Sequence, residues 1–144
     1  MNAWAQTDQG LLALLILTDQ FRRNLYRGSG ESFAMDDFAR GLCRQALRRG
    51  AERRLRPIHR VMLYLPLEHS ESLSDQDDSV RCFQRLATEV PTEQHEVFEG
   101  YLDYARSHRE VIAEFGRFPH RNTALGRPST PAERIYLEQP GAGF

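Results

Sequence analysis

The chain has 144 residues, 40% of them hydrophobic and 10% aromatic, which suits one domain over residues 1–144 able to bury a core without metal or disulfide staples. Its mean hydropathy is −0.58. The longest apolar run, Leu11 to Leu17, falls far short of the roughly 20 residues that span a bilayer. It also lacks the flanks of a secretory signal. A membrane-spanning protein is thereby set aside. Cys43 and Cys82 lie far apart in the chain and read as reduced thiols of a soluble, cytoplasmic protein.

The net charge of −1 hides a segregation. Eight arginines fall between Arg40 and Arg60 against Glu52 alone, whereas ten acids between Glu68 and Asp103 face only Arg81 and Arg85. All 19 basic residues are arginine. That usage reads as codon bias, and the basic stretch as a solvated helix face in preference to a nucleic-acid surface.

Six helices and no strand are expected. The first runs from Asp8, its N-cap, to Asn24, stopped by Tyr26-Arg27-Gly28; its Leu11–Leu17 run is apolar on every side, as in a central buried helix. The second runs from Ser32 to Arg49, with Gly50 as its C-cap. The third starts at Pro57 and is ended or kinked by Pro66, with Ile58, Val61, Met62 and Leu65 as its stripe. The fourth covers Ser74 to Val90 through Val80, Phe83 and Leu86. The fifth, Thr92 to Phe115, repeats Phe98, Tyr101, Leu102, Ala105, Val111 and Ile112 at a 3.6-residue rhythm. The sixth opens at Thr130-Pro131-Ala132-Glu133, which holds an N-cap, a proline at N1 and the glutamate of a capping box. Short connections imply antiparallel hairpins.

Several strings resemble the bacterial domain-of-unknown-function 924 family. They are residues 14–28 (Leu14 through Asp19-Gln20-Phe21-Arg22-Arg23-Asn24 to Gly28), 64–71 (Tyr64 through Glu68-His69-Ser70-Glu71), Asp75-Gln76, and 115–122 (Phe115 through Arg117-Phe118-Pro119-His120-Arg121-Asn122). Leu125-Gly126-Arg127 and Ser129-Thr130-Pro131 complete them. The resemblance implies an all-α fold with a tetratricopeptide-repeat-like arrangement of helix pairs, and no reaction. It also implies a proline where Arg22 stands and a helical segment, rich in tryptophan and phenylalanine, ahead of Ala3-Trp4-Ala5. Either a truncated domain or a misplaced gene start fits that difference. Loss of such a segment is expected to expose part of the Leu11–Leu17 face and favour self-association.

Three polar strings are candidates for chemistry. In the first, Asp19 and Arg23 are four apart, as are Gln20 and Asn24, so each pair shares a helix face. Asp19 continues an apolar stripe, and a buried carboxylate needs a partner. In the second, Glu68 or His69 would act as general acid or base, or the string caps the next helix. In the third, Arg117, His120, Arg121 and Asn122 crowd one turn and could grip a phosphate or carboxylate, or bond helix carbonyls. His108 sits on the apolar stripe of the fifth helix and reads as a hydrogen-bonded core residue. No metal-ligand spacing and no phosphate-cradling glycine loop exists, so neither metal nor cofactor is expected.

The leading reading is a non-catalytic helical module whose groove binds a partner protein or small anionic ligand. The candidate residues are Asp19, Arg23, Asn24, Glu68, His69, Arg117, His120, Arg121 and Asn122. The rival is a hydrolase or transferase acting on a phosphate- or carboxylate-bearing metabolite. It would require a carboxylate–imidazole hydrogen bond that opens into a pocket.

Overall fold

The computed structural model describes residues 3–144, and every regular element among them is helical. Six helices form the frame: α1 (Asp8–Leu15), α2 (Asp36–Arg48), α3 (Pro57–Glu68), α4 (Leu73–Glu89), α5 (His95–Phe115) and α6 (Pro131–Leu137). None is long and apolar enough to cross a membrane. The all-α class and the helix count agree with the sequence pattern, while several ends differ. Ser29 caps a separate 3-10 turn, Gly30–Phe33, by accepting from Glu31 N at 3.2 Å. Met35 then leaves helical geometry (φ −109°, ψ 7°), so α2 begins only at Asp36, where Asp36 and Asp37 face its positive end. Thr92–Gln94 is likewise a 3-10 turn ahead of α5.

The largest difference lies in the first helix. Beyond Leu15 the chain winds as a π-helix over Ile16–Phe21 and then makes one α turn, Arg22–Leu25. Thr18 Oγ1 donates to the carbonyl of Leu14 at 2.6 Å, a local bond that competes with the regular ladder. Leu11, Leu14, Leu15, Thr18 and Asp19 therefore face inward. Leu17, Phe21 and Leu25 face out, 46%, 52% and 70% exposed. The helix is buried on one side and not all round, because no other described element covers the opposite face. π turns recur at functional sites, and this one carries Asp19.

The α4–α5 hairpin is the centre of the fold, with α3 packed on α4 and α1 and α2 on α3. Leu15, Leu63, Tyr64, Leu67, Phe83, Leu86 and Leu102 fill the main core, where Tyr64 meets Phe83 edge-on at 5.5 Å. Each such side chain contributes about 1.5–3 kcal/mol by burial. A smaller cluster of Val111, Ile112 and Phe118, with Phe115 and Tyr136, seats the turn after α5 against α6.

The end of α3 positions the site. Pro66 lies inside the helix, has no N–H to give the preceding turn, and the helix ends two residues later. The carbonyls left without helical partners past this end go to Gln76 of α4, which is wholly buried and whose Nε2 donates to Glu68 O at 2.6 Å and Ser70 O at 2.7 Å. Ser70 Oγ donates to Asp75 Oδ2 at 2.6 Å. The Glu68-His69-Ser70 corner is thus clamped on its neighbour. At the far end, α6 starts with the anticipated capping box: Glu133 N donates to Thr130 Oγ1 at 3.2 Å, and Thr130 N to Glu133 Oε2 at 2.8 Å.

Candidate functional site

The three polar strings converge in part. A cleft of about 570 Å³ lies between the α turn that ends the first helix, the 3-10 turn Gly30–Phe33, the end of α3, the middle of α5, the turn after it and Phe144; Asp19 lies just behind its wall. Arg23, Asn24, His69, His120 and Arg121 line it, together with Arg27, Phe33, Tyr104, His108 and Phe144.

At its centre, His69 Nδ1 lies 2.7 Å from Asp19 Oδ1. Burial alone would raise the Asp19 pKa, but His69, Arg23 and Gln20 outweigh it and hold the carboxyl at about 2. An ionised carboxylate so close fixes the imidazole proton on Nδ1. Arg23 Nε also points its N–H at this nitrogen, at 3.3 Å, and the shorter contact with the carboxylate decides the tautomer. The opposite nitrogen, Nε2, makes no hydrogen bond, is not among the buried atoms left without a partner, and belongs to a ring that lines the cleft. Burial lowers the His69 pKa against the pull of Asp19, with Arg23 and Arg121 adding to the drop. The ring therefore rests neutral, with an available lone pair.

Two arginines frame this pair. Arg23 binds Asp19 at 3.2 Å and both oxygens of Asp36 at 3.0 and 3.1 Å. Arg121 lies between the rings of Phe33 and Phe118, its guanidinium carbon 4.6 and 4.5 Å from their centroids. It donates to the His69 carbonyl at 2.8 Å, yet its buried Nε has no partner. Burial, reinforced by Arg23, pulls its pKa down to about 10. At the rim, Arg27 reaches only Asn24 Oδ1, at 3.4 Å, among the described residues.

Behind the cleft, His108 is 3% exposed and hydrogen-bonds the Tyr104 carbonyl through Nδ1 at 2.8 Å. That acceptor places the proton on Nδ1, and burial drives the imidazole pKa down to about 3. Glu68 does not reach the cleft. It lies beneath, its Oε1 unbonded and 3.7 Å from His108 Nδ1. Burial, with the Asp19 charge, raises its pKa to about 8, so it is a neutral acid at pH 7. His120 is likewise kept neutral, its pKa lowered to about 4 by burial and then by Arg121, and its Nδ1 is buried without a partner.

Arg117 and Asn122 lie elsewhere. Arg117 grips Glu133 of α6 at 2.7 and 2.9 Å and the Pro128 carbonyl at 2.8 Å. Asn122 Nδ2 donates to Ser129 and Glu133 at 3.0 and 3.1 Å. Both hold α6 on the fold. Beside them Arg127 forms a two-bond pair with Glu71 at 2.8 and 2.9 Å, which tethers the turn to the end of α3. No group of three or more His, Cys, Asp or Glu side chains among the described residues is arranged to hold a metal ion.

Sequence reasoning did not single out Arg27, Asp36, Tyr104 or Phe144. Arg27 follows Arg23 by four, a spacing that predicts a shared helix face. Asp36 and Phe144 reach the site through tertiary packing, for which no local signal exists.

Fold and site together define a small all-α protein whose helix ends enclose a polar cleft around a carboxylate-paired histidine. The chain belongs to the family described as bacterial proteins of unknown function, domain of unknown function 924, which matches residues 1–141. It is similar to a solved structure of a protein of unknown function from Agrobacterium tumefaciens, with 38% identity and a TM-score of 0.83, covering 94% of this chain and 71% of that one. No curated protein matches the sequence.

Proposed function

We propose that the cleft is the active site of an enzyme that performs general acid–base chemistry, hydrolytic or group-transferring, on a small anionic substrate. The observation that carries this reading is the 2.7 Å contact between Asp19 and His69 Nδ1, made by a ring that lines the cleft. A groove that only binds has no need of a buried carboxylate directing an imidazole. The geometry therefore favours the catalytic reading over the non-catalytic module that the sequence put first.

In this reading Nε2 takes a proton from water or a substrate hydroxyl as its oxygen attacks. Asp19 stabilises the imidazolium that forms, and the same proton then passes to the leaving group. Arg121, whose guanidinium lines the cleft, and Arg27, which reaches only Asn24 Oδ1 among the described residues, hold the anionic end. His69 is neutral at rest, so it enters the cycle as the base.

The test is turnover of a panel of phosphomonoesters, carboxylic esters and amides by the parent, His69→Gln and Asp19→Asn. Loss of a positioned acid–base group should cut turnover by about 100- to 10,000-fold in His69→Gln, with a smaller loss in Asp19→Asn. Turnover that survives His69→Gln unchanged refutes the proposal. So does binding of anions in the cleft with no conversion of any panel member.

A further inference from the structure

The cleft already holds an aromatic ring. Phe144 stacks on His108 with centroids 3.6 Å apart and planes at 18°. It meets Tyr104, His120 and Phe118 edge-on at 5.4, 5.9 and 6.1 Å. Four rings thus surround part of a fifth, one stacked on its face and three edge-on.

The guest is poorly fixed. Phe144 remains 44% exposed. Its segment is tied by two bonds, Gly143 N to the Tyr136 hydroxyl at 3.3 Å and Ala142 N to the Gln139 carbonyl at 3.1 Å. Gly143 (φ +85°) rests on His120 so closely that a Cβ would come within 3.1 Å. The hosts, by contrast, are built in: His108 and Phe118 are 3% and 0% exposed, and the His108 Nδ1 bond to Tyr104 turns the face of the imidazole, not that nitrogen, towards the guest ring.

The seat also adjoins the proposed chemistry. The His69 and His108 rings are 6.2 Å apart. Arg27 and Arg121 line the same cleft. A flat ring placed on His108 shares the cleft with His69, Arg27 and Arg121.

We infer that the seat on His108 takes the aromatic ring of a substrate that also carries a carboxylate or phosphate, and that Phe144 occupies this seat as an intramolecular stand-in which the substrate displaces. This rests on the reading of the cleft as an active site and narrows it to small aryl anions.

The experiment is calorimetric titration of the full chain, parent and Phe144→Ala, with benzoate and phenyl phosphate against acetate and inorganic phosphate. Phe144 is exposed enough that its loss leaves the fold intact, which a thermal melt checks. Freeing an occupied seat raises apparent affinity by the reciprocal of the fraction of time it stood empty. The aryl anions should therefore bind Phe144→Ala about tenfold tighter than the parent, with acetate and inorganic phosphate unchanged. Phe144→Trp, a larger plug, should bind the aryl anions more weakly than the parent. No preference for aryl over non-aryl anions in any variant overturns the inference, as does an equal gain for both classes in Phe144→Ala. The catalytic reading stands or falls separately, on the His69→Gln comparison.

Discussion

The substitution Arg121→Met separates a functional from a structural account of the turn after α5. Arg121 is 6% exposed, and burial followed by the neighbouring Arg23 charge lowers its pKa from 12.5 to about 10. The folded protein therefore disfavours the charged side chain by about 3 kcal/mol, at roughly 1.4 kcal/mol per pH unit. The sign is unfavourable at every pH below 10, because the unfolded chain holds the proton more tightly. Against this stand the hydrogen bond to the His69 carbonyl, about 1.5 kcal/mol for a charged donor, and the packing on Phe33 and Phe118. Methionine keeps most of that packing through its own contacts with aromatic rings. The expected net effect is a gain of about 1 kcal/mol, read as a higher urea midpoint at pH 7, together with loss of anion binding. Natural proteins commonly retain such a trade at a working site. Arg117→Met, in the same turn, should instead lower the midpoint, because it removes the only cation paired with the buried Glu133 carboxylate among the described residues. If Arg121→Met destabilises the protein by more than about 1 kcal/mol, the charge is structural and the argument fails.

Three further outcomes follow from the same geometry. Glu68 ionises near 4.5 in the unfolded chain but near 8 when folded, so from pH 4.5 to 8 its burial costs about 1.4 kcal/mol of stability per pH unit. Glu68→Gln should leave the urea midpoint unchanged at pH 4 and raise it at pH 8; equal shifts at both pH values would count against the raised pKa. Gln76→Leu leaves the carbonyls of Glu68 and Ser70 without their donor and should cost about 2–3 kcal/mol in chemical denaturation; a neutral result would mean the α3 corner is held by other contacts. Thr130→Ala removes the cap of α6 and should cost about 1 kcal/mol, seen as a lower melting temperature; an unchanged melt would mean α6 does not melt with the rest.

Local chemistry made most of the fold legible. Pro57 at the first position of α3, the capping box at Thr130 and Glu133, and the 3.6-residue rhythm of α5 act within one or two helical turns, and each marks its helix where it lies. The pairing of Asp19 with Arg23 follows from the same spacing rule, and the two lie 3.2 Å apart. The π turn over Ile16–Phe21 escaped because it breaks no propensity rule: its residues are ordinary helix formers.

Convergence is another matter. Asp19 meets His69 from 50 positions away, and Arg121 reaches the His69 carbonyl from 52. Nothing in either segment encodes the other; the packing of α3 between α1 and α4 brings them together. Arg117 and Arg121 carry the same side chain four positions apart, yet one holds α6 while the other enters the cleft. Sequence periodicity determined the helices and, the first helix excepted, their buried faces, because hydrogen bonding and burial along a helix repeat locally. Only the tertiary structure decided which polar ends share a cleft, since those distances depend on how every helix packs against the rest.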